Sequence, residues 1–187
     1  MSLKGIINYS HYLIENCVDK GETVIDATCG NGHDTLFLSK LVDDDGHVFA
    51  FDIQKQAIET TRHLLEQQNR TNVTLILDNH ANIDQYIQVD DEISAAIFNL
   101  GYLPRSDKTV ITEGETTIAA LEEILVRLKQ KGIIVLVVYH GHDGGEEEKE
   151  TILKYVVRLD QKKYNVLKYG FINQRNNPPF IIAIEKK

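Results

Sequence analysis

The sequence predicts an α/β protein: a seven-stranded, mostly parallel sheet with helices on both faces, ended by an antiparallel hairpin. Three observations carry this prediction. Short apolar runs alternate with segments of helical spacing from Thr23 to Leu159, the pattern of parallel strands under crossover helices. A glycine-rich turn follows the first of these runs, at Gly30 and Gly32. The last two strands are separated only by Asn173–Pro178, too short for the crossover that a parallel pair needs, so they pair antiparallel.

The elements follow in order. Residues 6–18 have helical spacing, with Ile6, Ile7, Tyr9, Leu13, Ile14 and Cys17 recurring on one side. Thr23–Asp26 is a short apolar strand, and Asp34–Leu41 is the helix after the glycine turn. His47–Phe51 and Gln54–Gln68 form the second strand and helix. Val73–Leu77 is the third strand, with a weaker helix at Ala81–Ile87, and Ile93–Leu100 is the fourth. Glu113–Lys129 is a long amphipathic helix carrying Ile118, Leu121, Ile124, Leu125 and Leu128 on one face. Gly132 is expected to end it and to open the most apolar strand, Ile133–Tyr139. Glu146–Leu159 starts with three glutamates, which suit the positive end of a helix dipole. Tyr164–Ile172 and Pro179–Ile184 make the closing hairpin.

At 187 residues the chain, 1–187, reads as one domain able to bury a core unaided. Two cysteines, Cys17 and Cys29, with no CxxC and no Cys/His cluster, oppose a disulfide scaffold or structural zinc. No apolar run reaches membrane-spanning length and no leader pattern opens the chain, so the expected location is the cytoplasm with no membrane partner. The net charge of −8 excludes a non-specific nucleic-acid coat, but the charge is uneven. Residues 154–187 hold eight basic side chains against Asp160 and Glu185, a face suited to a polyanion.

The strongest motif is Asp26-Ala-Thr28-Cys29-Gly30-Asn31-Gly32-His33-Asp34-Thr35. Glycines in a strand-to-helix turn let a ligand lie against backbone. A dinucleotide turn would carry a third glycine where Thr35 stands. Asp26 before the turn and Asp34 after it would repel a pyrophosphate and attract a cation. The sulfonium and α-ammonium of S-adenosyl-L-methionine (SAM) fit that field. Asp52 ends the second strand where an acid takes ribose hydroxyls, with Gln54 beside it. Asn79 and His80 follow the third strand, where adenine would lie. The candidate cofactor residues are thus Asp26, Thr28, Cys29, Gly30, Asn31, Gly32, His33, Asp34, Asp52, Gln54, Asn79 and His80, all at the carboxyl ends of strands.

Two further segments face the expected substrate side. Asn99-Leu100-Gly101-Tyr102-Leu103-Pro104 looks like the Asn/Asp-Pro-Pro-Tyr motif of enzymes that methylate amines, with Leu100-Gly101 replacing the two prolines. Tyr139-His140-Gly141-His142-Asp143-Gly144-Gly145 places three titratable groups among glycines, as a proton-moving loop requires. Its i,i+2 spacing is a poor metal site, and no metal is expected.

These residues, with Tyr9-Ser10-His11, Phe51-Asp52-Ile53-Gln54 and Asn177-Pro178-Pro179-Phe180, resemble over nearly the full length the small bacterial putative rRNA methylases of the YtqB type, also called MnmM. The resemblance implies a Rossmann-like class I methyltransferase fold. It also implies methylation of the amino group of 5-aminomethyl-2-thiouridine at the tRNA wobble position. In that reading Asn99 holds the amine, Tyr102 packs on the uridine, and His140, His142 or Asp143 takes the proton. Pro104 and Tyr139 border the base, and Arg105, Lys108 and the basic stretch meet the anticodon loop. His11 either roofs the pocket or is structural. A homodimer would enlarge the RNA surface.

Competing readings are a methyltransferase for rRNA or a small amine, a SAM-binding module without chemistry, and an NAD-dependent oxidoreductase. Asn99 and the His-rich loop oppose the module, and Thr35 with the terminal hairpin opposes the oxidoreductase.

Overall fold

The computed structural model describes residues 3–101 and 112–187. Along the chain run α1 (Ile6–Glu15), β1 (Thr23–Asp26), α2 (His33–Val42), β2 (His47–Asp52), α3 (Lys55–Gln67) and β3 (Val73–Leu77). A 3-10 turn (His80–Gln85), β4 (Ile93–Leu100), α4 (Gly114–Arg127), β5 (Leu128–Val138), α5 (Gly145–Val156), β6 (Tyr164–Tyr169) and β7 (Phe180–Lys186) follow. The strands form one sheet in the order β3-β2-β1-β4-β5-β7-β6. The first five are parallel to one another, while β7 runs antiparallel between β5 and β6.

Burial explains which strands are central. Every residue of β4 except Asn99 is buried, and its side chains alternate between two cores. Ala96, Phe98 and Leu100 join Ile134, Leu136 and Val138 of β5 under α4 and α5. Ala95 and Ile97 join Val135 and Val137 on the opposite face, under α1 and α2. Such two-faced burial is why these strands read as unbroken apolar runs. At the edge, β6 is largely exposed and carries Asn165 and Lys168, polar groups that discourage edge-to-edge pairing.

Two elements depart from expectation. Helix α4 ends at Arg127, and β5 begins at Leu128, not at Ile133. Leu128 pairs with Ile93 before the register shifts by a bulge, and Lys131 takes a φ of 61°. Gly132 belongs to that bulge: a Cβ there would sit 3.0 Å from the Ser94 carbonyl oxygen. The helical period ran on through Leu128 because that residue is buried in either conformation. The weak helix after β3 is only the short 3-10 turn, capped by Asn79 Oδ1 accepting from Ala81 N.

The chain winds from β1 outward through β2 and β3, then returns to place β4 on the other side of β1. The crevice where the winding reverses, between β1 and β4, is where sheets of this kind take ligands.

Candidate active site

A cavity of about 900 Å³ opens there, above the carboxyl ends of β1 to β5. Its floor is the turn from β1 to α2. Gly30 and Gly32 hold φ of 51° and 83°, a left-handed backbone that an ordinary side chain resists. A Cβ on Gly32 would also lie 2.9 Å from Thr61 Oγ1 and 3.0 Å from its Cα, so α3 packs directly on the turn. Thr61 in return donates to the Gly30 carbonyl at 3.1 Å.

Asp26 does not line the cavity. It is fully buried, accepting from Thr35 Oγ1 at 2.6 Å and from Thr28 N at 3.2 Å. Burial, and the negative charge of Asp34 after it, push its carboxyl well above the ordinary range. Its contacts therefore fasten the turn, and any effect on a ligand passes through Thr28 and Thr35. Gly32 likewise shapes the turn without reaching the cavity wall. Thr28, Cys29, Gly30, Asn31, His33 and Asp34 do reach it. Burial and the nearby Asp26 and Asp52 raise the Cys29 thiol far above its usual range, so it offers no thiolate.

Asp52 stands at the tip of β2 and lines the cavity with Gln54. Its Oδ2 accepts from Gly30 N at 3.0 Å and its Oδ1 from Gln54 N at 2.9 Å. Beyond β3, Asp78, Asn79 and His80 add a third wall. Asp78 accepts from Tyr86 Oη at 2.8 Å and from Asn82 Nδ2 at 2.9 Å, and these bonds hold its carboxyl below the usual range. His80 Nδ1 lies 3.0 Å from the Ala27 carbonyl, which only accepts, so the hydrogen is on Nδ1. Its buried Nε2 is then an acceptor without a partner among the described residues.

Asn99, at the end of β4, is fixed at two points. Its backbone N–H donates to Thr28 Oγ1 and its Nδ2 to Asp34 Oδ2, both at 2.7 Å. Only an amide NH2 can donate to a carboxylate, so the orientation is settled and Oδ1 remains as acceptor. Asp34 Oδ1 accepts from His11 Nε2 at 2.6 Å, and the His11 ring stacks on Phe37 at 3.9 Å. His11 therefore acts behind Asp34 and does not line the cavity. Both Asp34 oxygens have protein partners, so this acid organises the site more than the sequence suggested.

The Tyr139–Gly145 loop supplies the remaining wall through Tyr139, His140 and His142, whereas Asp143 is not part of it. His140 Nε2 lies 3.3 Å from the Pro178 carbonyl, and its Nδ1 lies 3.4 Å from Glu146 Oε2. His142 Nε2 is 2.8 Å from the Tyr139 carbonyl and its Nδ1 3.0 Å from that of Asp143. Carbonyl oxygens cannot donate, so both contacts are hydrogen bonds only when the ring carries two protons. Behind the loop lies Glu148, a buried carboxylate near His142 and the Thr112 hydroxyl; burial pushes it up to about 7. Tyr102, Pro104, Arg105 and Lys108 lie outside the described residues.

Sequence reasoning missed Ile53, Thr112, Thr116 and Asn177, which all line the cavity. Asn177 had a signal in its Asn-Pro-Pro-Phe run. Thr112 had none: its role is to meet Gly101, donating N–H to the Gly101 carbonyl and accepting from Gly101 N at 2.8 Å.

The sheet order and an acid-tipped β2 at a switch-point cavity define a class I methyltransferase. The chain belongs to the putative rRNA methylase family, whose model matches residues 48–185. It is 37% identical over 98% of its length, and 70% of the relative's, to the chloroplastic tRNA (mnm(5)s(2)U34)-methyltransferase of Arabidopsis thaliana. Its fold matches a putative rRNA-methylase from Clostridium thermocellum with a TM-score of 0.97, at 47% identity and complete coverage of both chains. A putative methyltransferase from Streptococcus mutans, in complex with SAH, matches with a TM-score of 0.92 at 45% identity, again over both whole chains.

Proposed function

We propose that this chain, a SAM-dependent methyltransferase, methylates the amino group of 5-aminomethyl-2-thiouridine at the tRNA wobble position. The observation that carries the reading is Asn99: its nitrogen is held by Asp34, which leaves its oxygen as an amine acceptor in the cavity. The Arabidopsis relative's name supplies the nucleoside.

The cavity fits the cofactor. Asp52 keeps lone pairs for ribose hydroxyls while the Gly30 and Gln54 amides fix its plane. The unpartnered His80 Nε2 is an acceptor that an adenine amino group can satisfy. SAM supplies an electrophilic methyl on a cationic sulfur, transferred in line to the attacking nitrogen. The protein's part is alignment, the main source of acceleration in such displacements. Asn99 Oδ1 accepts an amine hydrogen and aims the nitrogen lone pair. The amine must be neutral to attack, and His140 is the proton acceptor in this reading. With Nε2 donating to Pro178, His140 Nδ1 can take a proton and pair with Glu146. His142, with both nitrogens on carbonyls, acts as a clamp on its loop. Replacing His140 by Ala should lower kcat with affinity for SAH unchanged, and an unchanged kcat removes it as the acceptor.

The decisive experiment supplies methyl-labelled SAM with total tRNA and, in a parallel reaction, rRNA from a strain lacking the gene, followed by nucleoside mass spectrometry. Loss of 5-aminomethyl-2-thiouridine with gain of its N-methyl product is the expected result. Label appearing in rRNA alone would favour the reading in the family's name.

A further inference from the structure

Resting on the reading that RNA is the methyl acceptor, we propose that the tip of the β6–β7 hairpin, residues 170–178, docks the single-stranded RNA beside the target nucleotide. Ile172 is the wedge against the neighbouring base, and Arg175 meets a phosphate.

Ile172 is a large apolar side chain held fully in water, 103% exposed, and the core gives no reason for it. The tip is nonetheless a built feature. At its far end Asn177 lines the cavity, and Pro178 offers its carbonyl to His140 Nε2. Asn176 and Asn177 take φ of 64° and 51°, which turn the chain back onto the cavity rim. At its near end Phe171 meets Tyr169 edge-on at 6.0 Å, and Tyr169 stacks on Tyr9 at 4.0 Å while its hydroxyl donates to the Lys4 carbonyl. An aromatic stack thus anchors the end of β6 from which the exposed residue projects.

The charge points to a polyanion. Between Asp160 and Glu185 the chain has no acidic residue, but it has Lys162, Lys163, Lys168 and Arg175. A base that enters a cavity must leave its stack, and an apolar side chain commonly fills the gap it leaves. Single-stranded RNA is read in that splayed form by stacking plus phosphate contacts. A free small amine would occupy the cavity alone and give the tip nothing to do.

The test compares wild type with Ile172→Ser and Arg175→Gln, using labelled SAM and total tRNA from the gene-deleted strain. Ile172→Ser should raise KM for tRNA about tenfold, the scale of one lost base stack. Arg175→Gln should lower the salt slope of tRNA binding by about one charge. Affinity for SAH should stay unchanged in both, which separates docking from folding. Unaltered KM and salt slope in both variants would overturn the proposal, as would a change in oligomeric state alone, which would make the tip a protein interface. Wild type that transfers no methyl to any RNA would sink the reading beneath it; transfer by wild type and variants alike would sink only the tip.

Discussion

Asp34 shows how one side chain can set the geometry of a cavity wall through its neighbours. It holds the Asn99 amide with one oxygen and the His11 ring with the other. Replacing Asn99 by Ala should lower kcat by about 100- to 1,000-fold, the loss seen when one positioned polar group is removed from a reacting centre, with KM for SAM nearly unchanged. A parallel fall in SAM affinity would instead place Asn99 in the cofactor site. Asp52→Asn should weaken SAM binding about 10- to 100-fold, from the 1.5–3 kcal/mol of a charged hydrogen bond, as titration calorimetry would show. The sequence made Asp52 and Asn99 legible because a polar residue ending an apolar strand faces the carboxyl-end crevice. It could not separate Asp26 from Asp34. Both flank the glycine turn, and only packing decides that one points down to Thr35 while the other points across to Asn99.

The β1–α2 turn was the most legible element because its glycines answer a local backbone demand. The demand is also tertiary, since Thr61 from α3 fills the space beside Gly32. Gly32→Ala should cost about 1–3 kcal/mol, through positive φ and this clash together, and should lower the urea midpoint. A midpoint equal to wild type would mean that α3 can retreat. The junction of α4 and β5 was less legible. Apolar spacing cannot distinguish the last turn of a buried helix from the first residues of a buried strand, and Leu128 satisfies both. The bulge at Lys131 and Gly132 depends on pairing with β4, a partner distant in sequence.

Across the whole molecule, the parallel strands and the antiparallel closing pair followed from the alternation of elements and the short final link, whereas the strand order and the burial of Glu148 did not. Three glutamates in a helix's first turn read alike, yet only Glu148 turns inward, behind His142. Its carboxyl is raised from an ordinary value of 4.5 to about 7, mainly by burial, so the folded state binds a proton that the unfolded chain has released. The contribution of Glu148 to stability therefore declines as pH rises from about 4.5 to about 7 and is level above that. Glu148→Gln removes this dependence. Its melting temperature relative to wild type should climb between about pH 4.5 and about pH 7 and hold level above that. A constant difference across that range would show that Glu148 ionises in the fold as freely as in water.

The position of β7 has a consequence for how the protein comes into being. It is the last strand along the chain, yet it lies between β5 and β6. While a ribosome is still making the chain, β5 has a bare outer edge and β6 has no place to dock. The Asn177–Pro178 rim that braces His140 emerges just before β7. The sheet is thus closed by a strand made after both of its neighbours, and the rim beside His140 is set with it. A chain terminated before Phe180 would leave β6 without its partner and the Asn177–Pro178 rim without the strand that anchors it.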